Sequence, residues 1–328
     1  MKFRLGLNPY GLTYTLGLQS PDTPRANPHG TGLEGFIAIA TGIGAKVLEI
    51  YQPWLAALGD DELHALRARL DTLDMTPVIS GGLTMAGEIE GVFRSAEILG
   101  AKVIRFGLTP VLEGGRAAQG EDWPRMVAEV RSSLRRLAPM AADRGVVLAI
   151  ENHQDFGSDE LATFCEELGP GLGITLDTGN AFPVAEAPLD FTRRVVPHVR
   201  HVHLKDYRVQ FTELGFRLIR WSIGDGAVPI RGMLDVLGEH HDELNGVIEL
   251  AALNARHIRL FTPDWWRGYA PKTAEELAAC LNATRVNAMP DDEDYRTPWE
   301  KGDDGALIAY ERDMLERSAA NMRAMGLL

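Results

Sequence analysis

A chain of 328 residues, 45% hydrophobic and 24% charged, has the composition of a globular protein with a substantial core. Its 33 Lys and Arg against 46 Asp and Glu give a formal charge of -13, which disfavours non-specific binding to nucleic acid or to an anionic membrane. Cys165 and Cys280 form no motif, no apolar run reaches the ~20 residues of a membrane span, and MKFRLGLNPYG lacks a signal-peptide core, so a cytoplasmic protein with free thiols is expected.

FRLGLN (Phe3 to Asn8) is the first expected strand. The Gly/Pro-rich segment from Pro9 to Gly32 follows, and its Tyr10, Tyr14, Gln19 and His29 either face a ligand or only cover the mouth of the fold. A helix over Gly30 to Ala40 leads to the strand AKVLEI (Ala45 to Ile50). In Asp60 to Leu73, Leu63, Leu66, Leu70 and Leu73 share one helical face, and TPVISG (Thr76 to Gly81) is the next strand. A helix from Ala86 to Leu99 precedes the strand AKVIRFG (Ala101 to Gly107), and Trp123 to Arg144 is strongly helical.

Three apolar runs follow, VVLAIENHQD, GLGITLDTGN and HVRHVHLKD, each ending in polar residues. Between them, Ser158 is expected to cap a helix running to Leu168, and Pro188 to Val196 to form a short one. FTELGFRLIRWSIGDG reads as a small β excursion turning at Glu213 to Gly215. Val228 to Glu239 is a helix, NGVIEL the last strand, and Ala306 to Met325 a closing helix beyond a long segment that contains TPDWW. Eight strand candidates, near residues 3, 46, 76, 102, 146, 172, 199 and 246, alternate with helices. That rhythm fits a (β/α)8 TIM barrel in one domain over 1–328, with a long loop excursion at about 254–300 before the last helix. An open doubly wound sheet fits less well, because GxGxxG is absent.

Glu151 and Asp177 are 26 residues apart, as are Asp177 and His203, the spacing of one strand plus one helix and its loops. Glu249 ends a fourth run, 46 residues beyond His203. In a parallel barrel such residues emerge together at the C-terminal strand ends. Two Glu, one Asp and one His suit a divalent cation such as Mn²⁺, Mg²⁺, Co²⁺ or Zn²⁺. The competing reading of Glu151 is a buried ion pair with an Arg from an adjacent strand. His201, His203 and Lys205 alternate along one strand, and spacing does not choose among them. Asp206 either hydrogen-bonds a ligand histidine or caps the next turn. His153 is a candidate general base, with an unperturbed pKa of ~6.5, or else a hydrogen-bonding group for substrate.

IEN, LDTGN, HVHLKD and VIEL, in this order, resemble the xylose isomerase-like TIM-barrel superfamily of sugar isomerases, ketose 3-epimerases, inosose dehydratases and related lyases, over about residues 3–253 plus the last helix. The resemblance implies one metal ion, Mn²⁺ foremost, held by Glu151, Asp177, His203 and Glu249, and so selects His203 over His201. It also marks Glu151 and Glu249 as catalytic, because the first and last Glu are the acid–base pair of the epimerases. Asn180 stands near the position where those epimerases commonly carry a histidine. ENHQD, HVHLKDYRVQF, WSIGDG and TPDWW resemble the branch that handles 3-oxo sugars, either the catalytic subunits of C-glycoside deglycosidases or decarboxylases of 3-oxo sugar acids.

That branch implies proton abstraction at C2 of a 3-oxo-C-glucoside by His153 and elimination at C1. Decarboxylation of a 3-oxo sugar acid and ketose isomerisation or 3-epimerisation are the alternatives. Substrate contacts are expected from Asn180, His201, Lys205, Arg208 and Arg217, with Arg220 nearby, since a sugar acid suits a guanidinium clamp. Phe261, Trp265, Trp266 and Tyr269 are expected to cover a subunit interface, for another copy or a small β-rich partner, rather than to line an aglycone pocket. Two other classes compete: a non-catalytic sugar-binding protein, and a phosphodiester-cleaving endonuclease of the same superfamily, which needs a multi-metal cluster.

Overall fold

The computed structural model describes residues 1–82 and 89–328. In chain order the strands are β1 (Lys2–Leu7), β2 (Val47–Tyr51), β3 (Thr76–Gly82), β4 (Val103–Gly107), β5 (Val147–Glu151), β6 (Leu172–Asp177), β7 (Val199–Leu204), β8 (Tyr207–Thr212), β9 (Gly215–Arg220), β10 (Glu243–Ile248) and β11 (Arg256–Ile258). Eight of them close into a parallel barrel in the order β1-β10-β7-β6-β5-β4-β3-β2. Val47, Leu48 and Ile50 on β2, and Leu148, Ala149 and Ile150 on β5, are wholly inaccessible. These short apolar runs are therefore covered on both faces, which is what a parallel sheet wrapped in helices requires.

The wrapping helices are α1 (Gly32–Ile43), α2 (Gln52–Ala56), α3 (Asp60–Thr72), α4 (Ile89–Leu99), α5 (Asp122–Asp143), α6 (Ser158–Leu168), α7 (Pro188–Val195) and α8 (Ile230–Gly238). Leu63, Leu66 and Leu70 form the buried stripe of α3, while Leu73 is its C-cap. The expected start of α4 at Ala86 lies outside the described residues. Ser158 is not the cap of α6 but its first residue. Gly157 holds the cap position in extended backbone, and its N–H donates to Glu160 Oε2 at 2.8 Å.

The segment expected as a loop excursion is ordered into β11, α9 (Pro263–Trp266), α10 (Ala274–Thr284) and α11 (Pro298–Lys301), before α12 (Leu307–Ala324). Thr273 with Glu276 and Thr297 with Glu300 form capping boxes that start α10 and α11. β8 and β9 form the expected hairpin, and β11 adds to its free edge as a third antiparallel strand. The hairpin thus interrupts the chain between two strands that are neighbours in the barrel, β7 and β10.

The segment after β1 is tied down at a distance. Glu311 of α12, fully buried, accepts hydrogen bonds from Tyr14 N (3.0 Å), Thr15 N (2.8 Å) and Thr15 Oγ1 (2.7 Å). Among the described residues no helix is long and apolar enough to cross a membrane. Cys165 and Cys280 are buried free thiols.

Candidate active site

Strands β5 and β6 end at Glu151 and Asp177, His203 is the last residue but one of β7, and Glu249 follows directly after β10. The register sets Asp177 opposite His203. One ligand atom from each of the four lies within 4.8 Å of the others, and all four residues are buried. His203 Nδ1 is 3.5 Å from Glu151 Oε1 and in contact with Glu249 Oε2. Both Glu151 oxygens, Glu249 Oε2 and His203 Nδ1 have no aligned hydrogen-bond partner among the described residues. Buried lone pairs left in that state cost several kcal/mol each unless a cation meets them. Three carboxylates and one imidazole converging in this way fit a divalent ion.

Cations of the chain hold part of this charge. Arg105 on β4 contacts Glu151, so the ion pair with an adjacent strand is present alongside the four-donor set. Lys205 Nζ contacts Asp177 and lies 3.1 Å from Glu249 Oε1. Burial would raise the Glu151 carboxyl, but Arg105, His153 and His203 more than offset it and hold it well below the usual range. Asp177 is pushed up to about 7, because burial and the neighbouring Glu249 and Glu151 outweigh Lys205.

Glu49, at the middle of β2, is the functional residue that sequence reasoning missed. Its Oε2 accepts from His201 Nε2 (3.0 Å) and His203 Nε2 (2.6 Å), and its Oε1 from Asn8 Nδ2 (2.9 Å). Burial opposes its charge, yet the two imidazoles hold it well below the carboxylate range. Donation of Nε2–H to Glu49 leaves His203 Nδ1 as the nitrogen facing Glu151 and Glu249, the usual way a ligand histidine is oriented. The signal was available: a carboxylate inside the apolar run VLEI is the same anomaly that marked Glu151.

Above the four residues opens a cavity of about 300 Å³, lined by Tyr10, Thr13, Gln19, Arg105, His153, Gln154, Lys205, Tyr207, Glu249 and Arg256 among others. His153 is lowered to about 4, chiefly by burial, with the Arg105 and Lys205 charges adding to the effect and Glu151 opposing it. Its imidazole is therefore uncharged at neutral pH.

Other expected contacts are placed elsewhere. His201 is sealed below the cavity against Glu49, because the inward face of β7 at its level belongs to the barrel interior. Asn180 is buried behind the wall, its Oδ1 accepting from Gln154 Nε2 (3.3 Å) and Tyr207 OH (3.4 Å). Arg208 turns to Asn287 O (3.1 Å) and Glu293 (3.3 Å), and Arg217 to Gln210 Oε1 (3.1 Å) and the Tyr295 ring. Arg220 is buried on the carbonyls of Ala251 and Gly11. The three arginines of the excursion thus brace that sheet and its surroundings and do not line the cavity.

Of the first-loop residues, Tyr10 and Gln19 line the cavity. Tyr14 instead packs with Leu253, Trp299 and Leu307, and His29 is exposed. Asp206 caps a turn: Oδ1 accepts from Tyr207 N and Val228 N, Oδ2 from Gly224 N and Gly226 N, at 2.8–3.0 Å. The four aromatic residues expected at an interface differ in exposure within the single chain. Trp265 is 5% exposed and stacked on Tyr269 at 4.4 Å, Trp266 is half-buried, and Phe261 alone of the four is exposed.

An eight-stranded parallel barrel with carboxylates and a histidine at its C-terminal rim defines a TIM barrel with a candidate metal site where enzymes of this fold place theirs. A family model described as xylose isomerase-like TIM barrel matches residues 37–283, and the chain belongs to that family. It is 25% identical over 194 residues to the uncharacterized protein YihM of Escherichia coli strain K12, covering 59% of this chain and 57% of that protein. It is 25% identical over 150 residues to an inosose dehydratase of Clostridium botulinum strain Alaska E43, covering 41% of this chain and 49% of that enzyme. The chain therefore spans about half the length of the curated relatives it matches. Among solved structures, the IOLI protein with a bound zinc atom superposes with a TM-score of 0.52 at 13% identity, over 95% of this chain and 99% of that one.

Proposed function

We propose that this protein is a divalent-metal-dependent lyase of 3-oxo sugars, which removes the proton at C2 and eliminates the group at C1 of a 3-oxo-C-glucoside. The observation that carries the reading is the cavity wall: an uncharged His153 lines it beside Glu249, while Glu151 stands behind Arg105 and does not. Epimerisation by a Glu151–Glu249 pair needs both carboxylates on the cavity. Elimination needs one base. The likeness to an inosose dehydratase supports the same choice, since a dehydratase is a lyase.

Glu151, Asp177, His203 and Glu249 would hold the ion, with Mn²⁺ proposed and Mg²⁺, Co²⁺ or Zn²⁺ as alternatives. The zinc of the IOLI protein supports a divalent ion in a barrel of this kind. When bound, the ion supplies Lewis-acid polarisation of the ketone. His153 takes the C2 proton, and the C–H electron pair moves toward the ketone as an enolate. As the ketone re-forms, the C1=C2 double bond forms and the C1 substituent leaves with its bonding pair. The His153 imidazolium is then the acid at hand to protonate the departing carbon, so the cycle is redox-neutral. Arg105 meanwhile keeps Glu151 ionised, and Lys205 holds Asp177 in place.

The test incubates purified protein and Mn²⁺ with 3-oxo-C-glucosides, a 3-oxo sugar acid and free ketohexoses, following aglycone, CO₂ and sugar isomers separately. Aglycone release is expected. CO₂ or sugar isomers in its place would replace elimination with decarboxylation or isomerisation. His153→Ala should lose about 100-fold or more in turnover with metal content unchanged, and retained turnover would assign the base elsewhere.

A further inference from the structure

Three cations line the cavity, Arg105, Lys205 and Arg256, against one carboxylate, Glu249. Arg105 is engaged by Glu151, and Lys205 by Asp177 and Glu249. Arg256 differs: it lines the cavity, yet among the described residues it has no ion-pair partner.

The sheet at the barrel mouth explains how it gets there. Strand β11 pairs antiparallel with β9, setting Arg256 opposite Leu218 and His257 opposite Arg217. Residues directly opposite one another share a face of the sheet. Leu218 is fully buried, so Arg256 lies on the inward face. His257 lies on the outward one, bonded to Thr212 Oγ1 at 2.9 Å. The Arg256 charge also reaches the cavity-lining Tyr207, where it partly offsets the upward shift that burial imposes on the phenol. A half-buried guanidinium facing a polar cavity, with no carboxylate of its own, is a receptor for an anionic group.

Resting on the reading of this cavity as the substrate site, we propose that the substrate carries a negative charge, as a carboxylate or an acidic phenol, and that Arg256 receives it. The charge has two sources: a carboxylate on the sugar, or an acidic group on the substituent at C1. Arg208 and Arg217, which the sequence offered for such a clamp, have partners of their own, and Arg256 takes the role from outside the hairpin.

The Mn²⁺-loaded protein is titrated calorimetrically with glucuronate and its methyl ester, and with 4-carboxyphenyl β-glucoside and its methyl ester. In the wild type, one acid should bind about ten-fold or more tighter than its ester, as a charged hydrogen bond predicts. The pair that shows the preference identifies the source. Arg256→Gln should cut that ratio about ten-fold, and Arg256→Lys should keep part of it, with thermal melts confirming that both variants fold. No acid preference in the wild type, or a ratio unchanged in Arg256→Gln, overturns the inference. Turnover of neutral 3-oxo-C-glucosides without any acid preference overturns it too while leaving the elimination reading standing. An acid preference that depends on Arg256, in a protein that releases no aglycone, supports the anion site and overturns only the elimination.

Discussion

Replacing Glu49 by Gln isolates the contribution of one carboxylate to the candidate metal site. Glu49 accepts three hydrogen bonds, two from imidazole Nε2 atoms on one oxygen and one from Asn8 Nδ2 on the other. An amide keeps one acceptor and turns the other into a donor. If its oxygen serves the imidazoles, its NH₂ meets the Asn8 NH₂, which cannot simply rotate because Asn8 Oδ1 already accepts from Tyr10 N at 2.7 Å. The substitution also removes the charge that fixes the His203 tautomer. Loss of such a partner costs about 10- to 100-fold in metal affinity, or about 1.4–2.8 kcal/mol.

Calorimetric titration with Mn²⁺ measures this directly, and melting temperatures give a second reading. Metal at 100 times its Kd adds about 2.7 kcal/mol to stability. With about 2.1 cal/mol/K of unfolding entropy per residue over 328 residues, the wild type should melt about 4 °C higher with metal than without. At the same metal concentration Glu49→Gln should gain only about 1–2 °C. Affinity within about three-fold of wild type, with an undiminished melting shift, would refute the claim that Glu49 orients His203.

Asp206 makes a prediction about stability alone. Asp206→Asn turns one acceptor oxygen into a donor facing two backbone N–H groups, and should cost about 2–5 kcal/mol in urea denaturation. A loss below about 1 kcal/mol would show that the turn is held by other contacts. Ala at Gly226 should be similarly disruptive, since its Cβ would lie 2.2 Å from Asp206 Oδ1 and 2.4 Å from the Tyr207 carbonyl oxygen. Asp155 predicts a pH dependence. Burial raises it from 3.8 to about 7, so between those values the folded chain keeps a proton that the unfolded chain has lost. Its contribution is full below about 3.8 and falls as pH rises to about 7, by up to about 1.4 kcal/mol per pH unit. Asp155→Asn should therefore flatten the stability profile over that window, and an unchanged slope would refute the assignment.

The barrel was legible because its strands are buried on both faces and leave uninterrupted apolar runs, and because helices such as α3 carry a clean leucine stripe. The rim was legible for a related reason: parallel strands of equal rhythm bring equivalent positions to one end of the barrel, so Glu151 and Asp177 could be matched by counting, while the choice of His203 over His201 came from the family resemblance and not from spacing. Glu49 escaped because it lies inside a strand rather than at its end, one layer deeper, where only a partner on a distant strand explains a charge. Arg208 and Arg217 were misassigned because pattern places a side chain on a hairpin but does not say which face the hairpin turns to the barrel. That orientation depends on β11, a strand of three residues too short to leave a periodic signal, and the same strand delivers Arg256. The capping boxes at Thr273 and Thr297, by contrast, were written in the chain as Thr-x-x-Glu, and their weight was overlooked amid the Pro and Trp of the region.

The buried carboxylate of Glu311 joins residues some 297 positions apart, fastening the first rim loop to the last helix. Tyr10, Thr13 and Gln19, which wall one side of the cavity, belong to the loop it fastens. One wall of the cavity therefore waits on α12: during synthesis that side stays unfinished until this helix has left the ribosome and docked. Substitutions on a helix remote from Glu151, Asp177, His203 and Glu249 can then reshape the cavity without disturbing those four residues. The cavity's outline has a handle there, hundreds of residues along the chain from the loop it adjusts.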